Sequence, residues 1–335
     1  MSKYVFNSIF AKYMVSFLDE REARGFLKEK HVSMLRGFDQ LLVRIKHSEL
    51  TISQRVYEQW LATLDSVGHN TKYGRITQMR QFLDFLIKNG IPCVMPRLPK
   101  YKKSEYVPYI FTHEEINRLF AESDKLISRQ TGKNTGIIAV PAIIRLLYST
   151  GARIGEVLSI RNQDVDFKKH VITLHETKNG KERLLPINAS LEVVLKQYIN
   201  YRDKMPLHDI NAPEHYLFVN LKGDPMRPCA FKTWYKGVLE SAGIVDNYNL
   251  KLPRIHDIRH TACMHVMHKL LVKGEDLYCN IPKISAFMGH IKMTDTEYYL
   301  RMAQQYYPEL AKQQKGIIDS IKGIVNRAVI TKSTL

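Results

Sequence analysis

The chain has 335 residues, enough to bury at least one sizeable core, and that length suggests two domains. Its 50 Lys+Arg against 33 Asp+Glu leave a formal net charge of +17, which makes nucleic acid the leading ligand class. The longest apolar run, Ile137 to Ile144, contains Pro141 and stops at Arg145, far short of the roughly 20 residues needed to cross a bilayer.

The start, Met1-Ser2-Lys3-Tyr4, lacks the basic, apolar and small-residue pattern of a signal peptide, so a cytoplasmic protein is expected. Cys93, Cys229, Cys263 and Cys279 contain no Cys-x-x-Cys pair, and are expected to be reduced packing residues rather than zinc ligands or disulfides. Positive charge is spread along the chain. Residues 1–108 carry 18 Lys+Arg against 10 Asp+Glu, a net of +8, and the remainder therefore carries +9.

Four helices are predicted in the first ninety residues. Phe10, Tyr13, Met14, Phe17 and Leu18 share one helical face, and Val32, Leu35, Phe38, Leu41 and Leu42 repeat the pattern. A third helix starts near Thr51 with Val56, Trp60 and Leu64 inward. A fourth has Asn70 or Thr71 as cap, buries Ile76, Met79, Phe82, Leu83 and Leu86, and ends at Asn89-Gly90. Lys72, Arg75 and Arg80 between the apolar positions suit a DNA-contacting face. Pro92, Pro96, Pro99 and Pro108, with Lys100, Lys102 and Lys103, predict an extended linker over 91–110.

Thr112-x-x-Glu115 is a capping box that opens the next domain. A helix from Ile137 to Ser149 runs into Gly151, and another begins near Arg153. The runs Val171–His175 and Arg183–Ile187 read as strands around Asn179-Gly180, a strong hairpin signal, with Lys178 and Lys181 flanking the turn. Helices are expected over 189–205, 229–242 and His256 to Leu271.

Five fragments carry chemistry: Thr150-Gly151-x-Arg153-x-x-Glu156, Thr177-Lys178-x-Gly180-Lys181-x-Arg183, His256-x-x-Arg259-His260, Gly289-His290 and Tyr299. Attack on a phosphodiester adds negative charge to the equatorial oxygens of a pentacoordinate transition state, and fixed cations there lower the barrier. Arginine forks match two phosphate oxygens and stay charged at physiological pH. In order and approximate spacing, the fragments resemble the tyrosine recombinase (phage integrase) family over nearly the whole chain.

That resemblance implies a mainly α fold with a small β-sheet: a four-helix, SAM-like core-binding domain over 1–90 and a mixed α/β catalytic domain over 111–312. It implies Arg153 and Arg259 as a phosphate clamp, His256 as proton acceptor, His290 as hydrogen-bond donor to a phosphate oxygen, and Glu156 as an orienting group behind them. Tyr299 would be the nucleophile, forming a 3′-phosphotyrosyl bond and releasing a 5′-hydroxyl. The adjacent Tyr298 leaves that assignment open by one residue. Lys178 would protonate the leaving oxygen; Lys181 competes on spacing alone, although the family places its lysine before the turn.

No metal or other cofactor is implied, and the chain has no Gly-x-x-x-x-Gly-Lys phosphate loop. The expected partners are double-stranded DNA and other copies of the chain, in a tetrameric synapse. Ile317, Ile318, Ile321, Ile324 and Val325 give the 313–335 tail one apolar helical face, which the resemblance assigns to docking in trans.

Ala152 and Met288 depart from the usual family residues, Gly274 to Pro282 reads as a longer turn, and no separate domain precedes the four helices, as in simpler recombinases and transposases of the family. The expected function is site-specific recombination, as an integrase or transposase. A type IB topoisomerase-like relaxase and a non-catalytic DNA-binding protein are the competing readings.

Overall fold

The structure, a computed structural model, describes residues 4–26, 29–102, 106–126, 135–175, 182–246, 251–290 and 293–307. Contacts divide the chain into two compact units, 1–105 and 106–335.

The first unit contains α1 (Ala11–Ala23), α2 (Glu29–Arg44), α3 (Gln54–Ala62) and α4 (His69–Lys88). Its core interleaves Phe17 and Phe82 edge to face, with Phe38 between Phe82 and Trp60. The apolar positions read from the sequence at Met14, Leu18, Leu35, Leu42, Met79 and Leu83 are all buried there. Local caps set the boundaries. The Ser53 side chain accepts from Val56 N, so α3 starts at Gln54, and Gly68 rather than Asn70 or Thr71 precedes α4. The buried Asp39 carboxylate accepts from Asn7 N and Ser8 N, which ties the segment before α1 to α2. Part of the expected linker is not extended freely. Ile52 N donates to Pro92 O and Val94 N donates to Ile52 O, so residues 92–94 pack along the lead-in to α3.

The second unit opens on α5 (His113–Asp124), where Thr112 and Glu115 form the capping box that the sequence predicts. A 3₁₀ turn at Ile137–Ala139 leads into α6 (Val140–Thr150), whose Val140, Ile143, Ile144, Leu146 and Leu147 are all buried. A helix apolar on nearly every side belongs in the centre of a core. It packs against α5, α8 (Ala189–Arg202), α9 (Pro228–Ser241) and α10 (Ile255–Val272). Gly151 ends α6 at φ +60°, a left-handed conformation that glycine adopts without cost to a Cβ. One short helix follows, α7 (Ile154–Leu158).

Among the described residues, β1 (Val165–Asp166), β2 (Val171–Leu174) and β3 (Arg183–Pro186) form an antiparallel sheet in the order β1-β2-β3. Leu174 pairs with Arg183 and Ile172 with Leu185. Side chains alternate along a strand, so this register places Arg183 on the same inward face as buried Leu185, and Leu184 outward. The Asn179-Gly180 turn, Lys178 and Lys181 lie outside the described residues. A separate apolar cluster joins α10 to α11 (Leu277–Met288) and α12 (Met293–Tyr306) around Met264, Ile281, Met288 and Leu300.

The sequence misread one segment. Gly274 to Pro282 was expected to be a turn, but α11 begins at Leu277, because Asp276 accepts from Tyr278 N and Cys279 N and nucleates the helix ahead of Pro282. Cys229 and Cys279 are exposed, so only Cys263 is a fully buried packing residue. The 313–335 tail lies outside the described residues.

At the open end of β2, His175 stands between two carboxylates, with Nδ1 2.6 Å from Glu182 and Nε2 3.2 Å from Asp164. The hydrogen bond to Glu182 is the main cause that raises its pKa, with Asp164 adding to it. A raised folded value stabilises below the free value of about 6.5 and is lost as pH rises through the folded value. Histidine NMR should place the His175 midpoint above that of a free histidine, and His175→Gln should remove the part of the thermal stability that is lost as pH rises through that midpoint.

Candidate active site

Helix ends bring the site together. Arg153 caps α7 with extended backbone, and Glu156, three residues on, accepts from Arg153 N at 2.9 Å and from Arg153 Nη1 at 2.7 Å. From β3, Arg183 Nη2 donates at 2.7 Å to Glu156 Oε2, the oxygen that also accepts from Arg153 N, while Arg153 Nη1 takes Oε1. Glu156 is only 3% exposed. Burial alone would raise its pKa, but the Arg153 backbone N–H and the two guanidiniums outweigh this and hold it below the usual carboxylate range. It is therefore a fixed anion shared by two cations.

Arg259 lies one turn into α10, almost wholly buried. Its Nη1 donates to Gly151 O and its Nη2 to Met288 O. Both carbonyls belong to helix ends closed by left-handed glycines, Gly151 after α6 and Gly289 after α11. Arg183 Nη1 donates to Phe287 O in the same α11 turn. A Cβ on Gly289 would come within 2.9 Å of the Arg183 guanidinium, so the absence of a side chain permits that approach. Burial, then the neighbouring Arg153, lowers the Arg259 pKa to about 10, which keeps it charged at physiological pH.

The phenol of Tyr299 faces this cluster. Its ring lies 5.4 Å from His260 and 5.8 Å, nearly parallel, from His290, and its hydroxyl interacts with Arg259. Burial, then Cys263, raises the Tyr299 pKa, while Arg259 acts in the opposite direction. Tyr299 is 4% exposed and Tyr298 is 41% exposed, so consecutive tyrosines on α12 divide between interior and surface. His256 packs edge-on to His260 at 4.9 Å. Burial, reinforced by His256, drives the His260 pKa down to about 3, so that ring is neutral at physiological pH. His290 Nδ1 is 2.9 Å from Thr296 Oγ1, which ties the Gly289-His290 turn to α12 one turn before Tyr299.

Arg153, Glu156, His256, Arg259 and His290 thus gather at the ends of α7, α10 and α11, facing Tyr299 midway along α12. Lys178 and its competitor Lys181 lie outside the described residues. Sequence reasoning gave no role to Arg183, His260 or Thr296, and none beyond packing to Cys263. Arg183 was legible from strand alternation with Leu185, and His260 and Cys263 from the i,i+4 face they share with His256 and Arg259. Among the described residues no cluster of three or more His, Cys, Asp or Glu could hold a metal ion.

Comparison with known proteins gives a consistent result. Residues 110–305 match the phage integrase family. Tyrosine recombinase XerC of Bacillus subtilis is 27% identical over 297 residues, 87% of this chain and 86% of that protein. XerC of Staphylococcus aureus is 27% identical over 274 residues, covering 80% and 83% of the two chains. In fold, the chain is similar to XerH site-specific recombinase bound to difH substrate, with TM-score 0.58, 16% identity, and coverage of 83% and 78%. It is equally similar to the Tn1549 transposon integrase in complex with circular intermediate DNA, with TM-score 0.58, 17% identity, and coverage of 86% and 94%.

Glu156→Gln keeps the shape of the side chain but leaves two partly buried guanidiniums without their anion. It should cost about 3 kcal/mol, the low end for breaking a buried pair, because the Arg153 side chain is a quarter exposed. Thermal or urea unfolding measures the loss. Because the folded pKa of Glu156 is depressed, its contribution is present above the unfolded value of about 4.3 and is lost as pH falls, so the gap between parent and variant should close in acid.

Proposed function

The chain belongs to the phage integrase family, and from that premise we propose a residue-level mechanism for its reaction. It is a tyrosine recombinase, an enzyme that cleaves and rejoins DNA strands in site-specific recombination, and double-stranded DNA is its partner. The observation that carries the mechanism is the inward phenol of Tyr299 facing Arg259 beside two histidines.

The scissile phosphate lies between Arg153 and Arg259, whose charges offset the negative charge that builds on its equatorial oxygens. Tyr299 Oη attacks phosphorus, the bond to the 5′-oxygen breaks, and a 3′-phosphotyrosyl bond stores the energy of the broken ester. His256 accepts the phenolic proton, and Lys178, assigned by family resemblance, supplies a proton to the leaving 5′-oxygen. His290 donates to a phosphate oxygen, and Thr296 fixes its ring. Attack by a 5′-hydroxyl from another strand reverses these steps and joins the new partner, with no external energy source.

Burial explains why the nucleophile is quiet without DNA. Tyr299 ionises with difficulty in its present surroundings, and a bound phosphodiester would bring the proton acceptor and the charge-stabilising groups into use together.

Residues 1–90 and residues 111–312 both contact the duplex, as the positive charge carried by each part of the chain favours. The 313–335 tail docks on a neighbouring protomer within a tetrameric synapse. Integration or transposition of a mobile element is the biological setting that suits this organisation.

On nicked duplexes drawn from the DNA that flanks its gene, Tyr299→Phe should bind normally and form no covalent complex, whereas Tyr298→Phe should still form it. Denaturing gels and mass spectrometry of the trapped peptide decide between them. An adduct on Tyr298 would transfer the nucleophile's role by one residue. Binding should also weaken linearly on a log scale with salt, by about 0.9 per phosphate neutralised.

A further inference from the structure

The first turn of α10 carries His256 and Arg259, and the Arg259 fork is fixed by Gly151 O and Met288 O. A second anchor lies about 100° around the helix, where Asp257 and Thr261 share a face. Asp257 is fully buried and accepts three donors. Arg254 N lies 2.7 Å from Oδ2, Arg254 Nη2 lies 3.3 Å from Oδ1, and the Tyr106 hydroxyl lies 2.7 Å from Oδ2. The Arg254 guanidinium also stacks 3.3 Å from the centre of the Tyr106 ring. One turn further along, Phe111 N donates to Thr261 Oγ1, so the segment 106–111 is fastened to α10 at two points.

We propose that Tyr106, Asp257 and Arg254 form a clip that sets the rotation of the first turn of α10, making Tyr106 a positioning residue for His256 and Arg259. The proposal rests on the recombinase reading of the site. Its physical basis is the shared turn. A carboxylate anchored at position 257 can rotate only with its neighbours, so losing a donor lets His256 and Arg259 move together. Burial, then the Asp257 carboxylate, raises the Tyr106 pKa and keeps the phenol a donor. Tyr106 is also the first residue of the second unit, so the clip lies where the chain joins the turn that bears the reacting groups.

Tyr106→Phe removes the hydroxyl and leaves the ring beneath Arg254. DNA binding and melting temperature should stay close to the parent, while single-turnover covalent-complex formation falls roughly ten- to hundredfold, the cost expected of a misplaced reacting group. In the DNA-free protein labelled with ¹⁵N-histidine, the His256 ring resonances should move, and those of His265 further along α10 should not. Asp257→Asn should displace the same His256 signals. A structural role without positioning would lower the melting temperature and leave the His256 signals in place. Unmoved His256 resonances in Tyr106→Phe overturn the clip, whatever the cleavage rate. Absence of any covalent complex with the unaltered chain counts instead against the recombinase reading, and the His256 resonances then decide the clip alone.

Discussion

Three guanidiniums converge on one poorly solvated site, and their mutual repulsion must be offset before a phosphate arrives. Glu156 supplies that offset for Arg153 and Arg183, from a position where it is itself almost sealed from water. Arg259 is handled differently, because the peptide dipoles of Gly151 and Met288 receive its protons in place of a second carboxylate. A carboxylate paired directly with every arginine would neutralise the field that a phosphodiester has to meet. Carbonyl partners fix the fork while leaving its charge largely uncancelled.

The glycine turns make this arrangement possible. Gly151 and Gly289 close their helices in the left-handed region, so the carbonyls at the ends of α6 and α11 turn away from helical partners and toward cations. The same α11 turn receives Arg183 and continues directly into His290, which Thr296 connects to the helix of Tyr299. The arginine cluster and Tyr299 are thereby linked through one short piece of backbone. A shift in α11 moves Arg183, Arg259, His290 and, through Thr296, the start of α12.

Much of this was legible in the sequence, because local physics determines it. The 3.6-residue apolar spacing located α1, α2 and α4, and Thr112 with Glu115 marked the start of α5. Motif order brought forward the residues that gather at the helix ends. What the sequence could not give was choice of partner over distance. Glu156 selecting Arg183 from β3, Arg259 selecting two carbonyls, and Tyr106 reaching Asp257 are separated by tens to more than a hundred positions. Pro282 misled for a related reason. A proline argues for a turn, but the Asp276 cap had already started α11 before it. The exposed thiols of Cys229 and Cys279 show that an apolar residue type does not by itself place a side chain inside.

If the carboxylate of Glu156 and the carbonyls of the two glycine turns hold the arginines ready for a phosphate that Tyr299 attacks, a transition-state mimic should be gripped by Arg153, Arg259 and Tyr299 at once. The most direct measurement is a crystal structure of the chain on a duplex in which vanadate replaces the scissile phosphate. Tyr299 Oη should stand at an apical position, with Arg153 and Arg259 on the equatorial oxygens and Glu156 still between Arg153 and Arg183. Vanadate held by Tyr298, or bound with Arg259 turned away from its carbonyls and the anion alike, would contradict this arrangement.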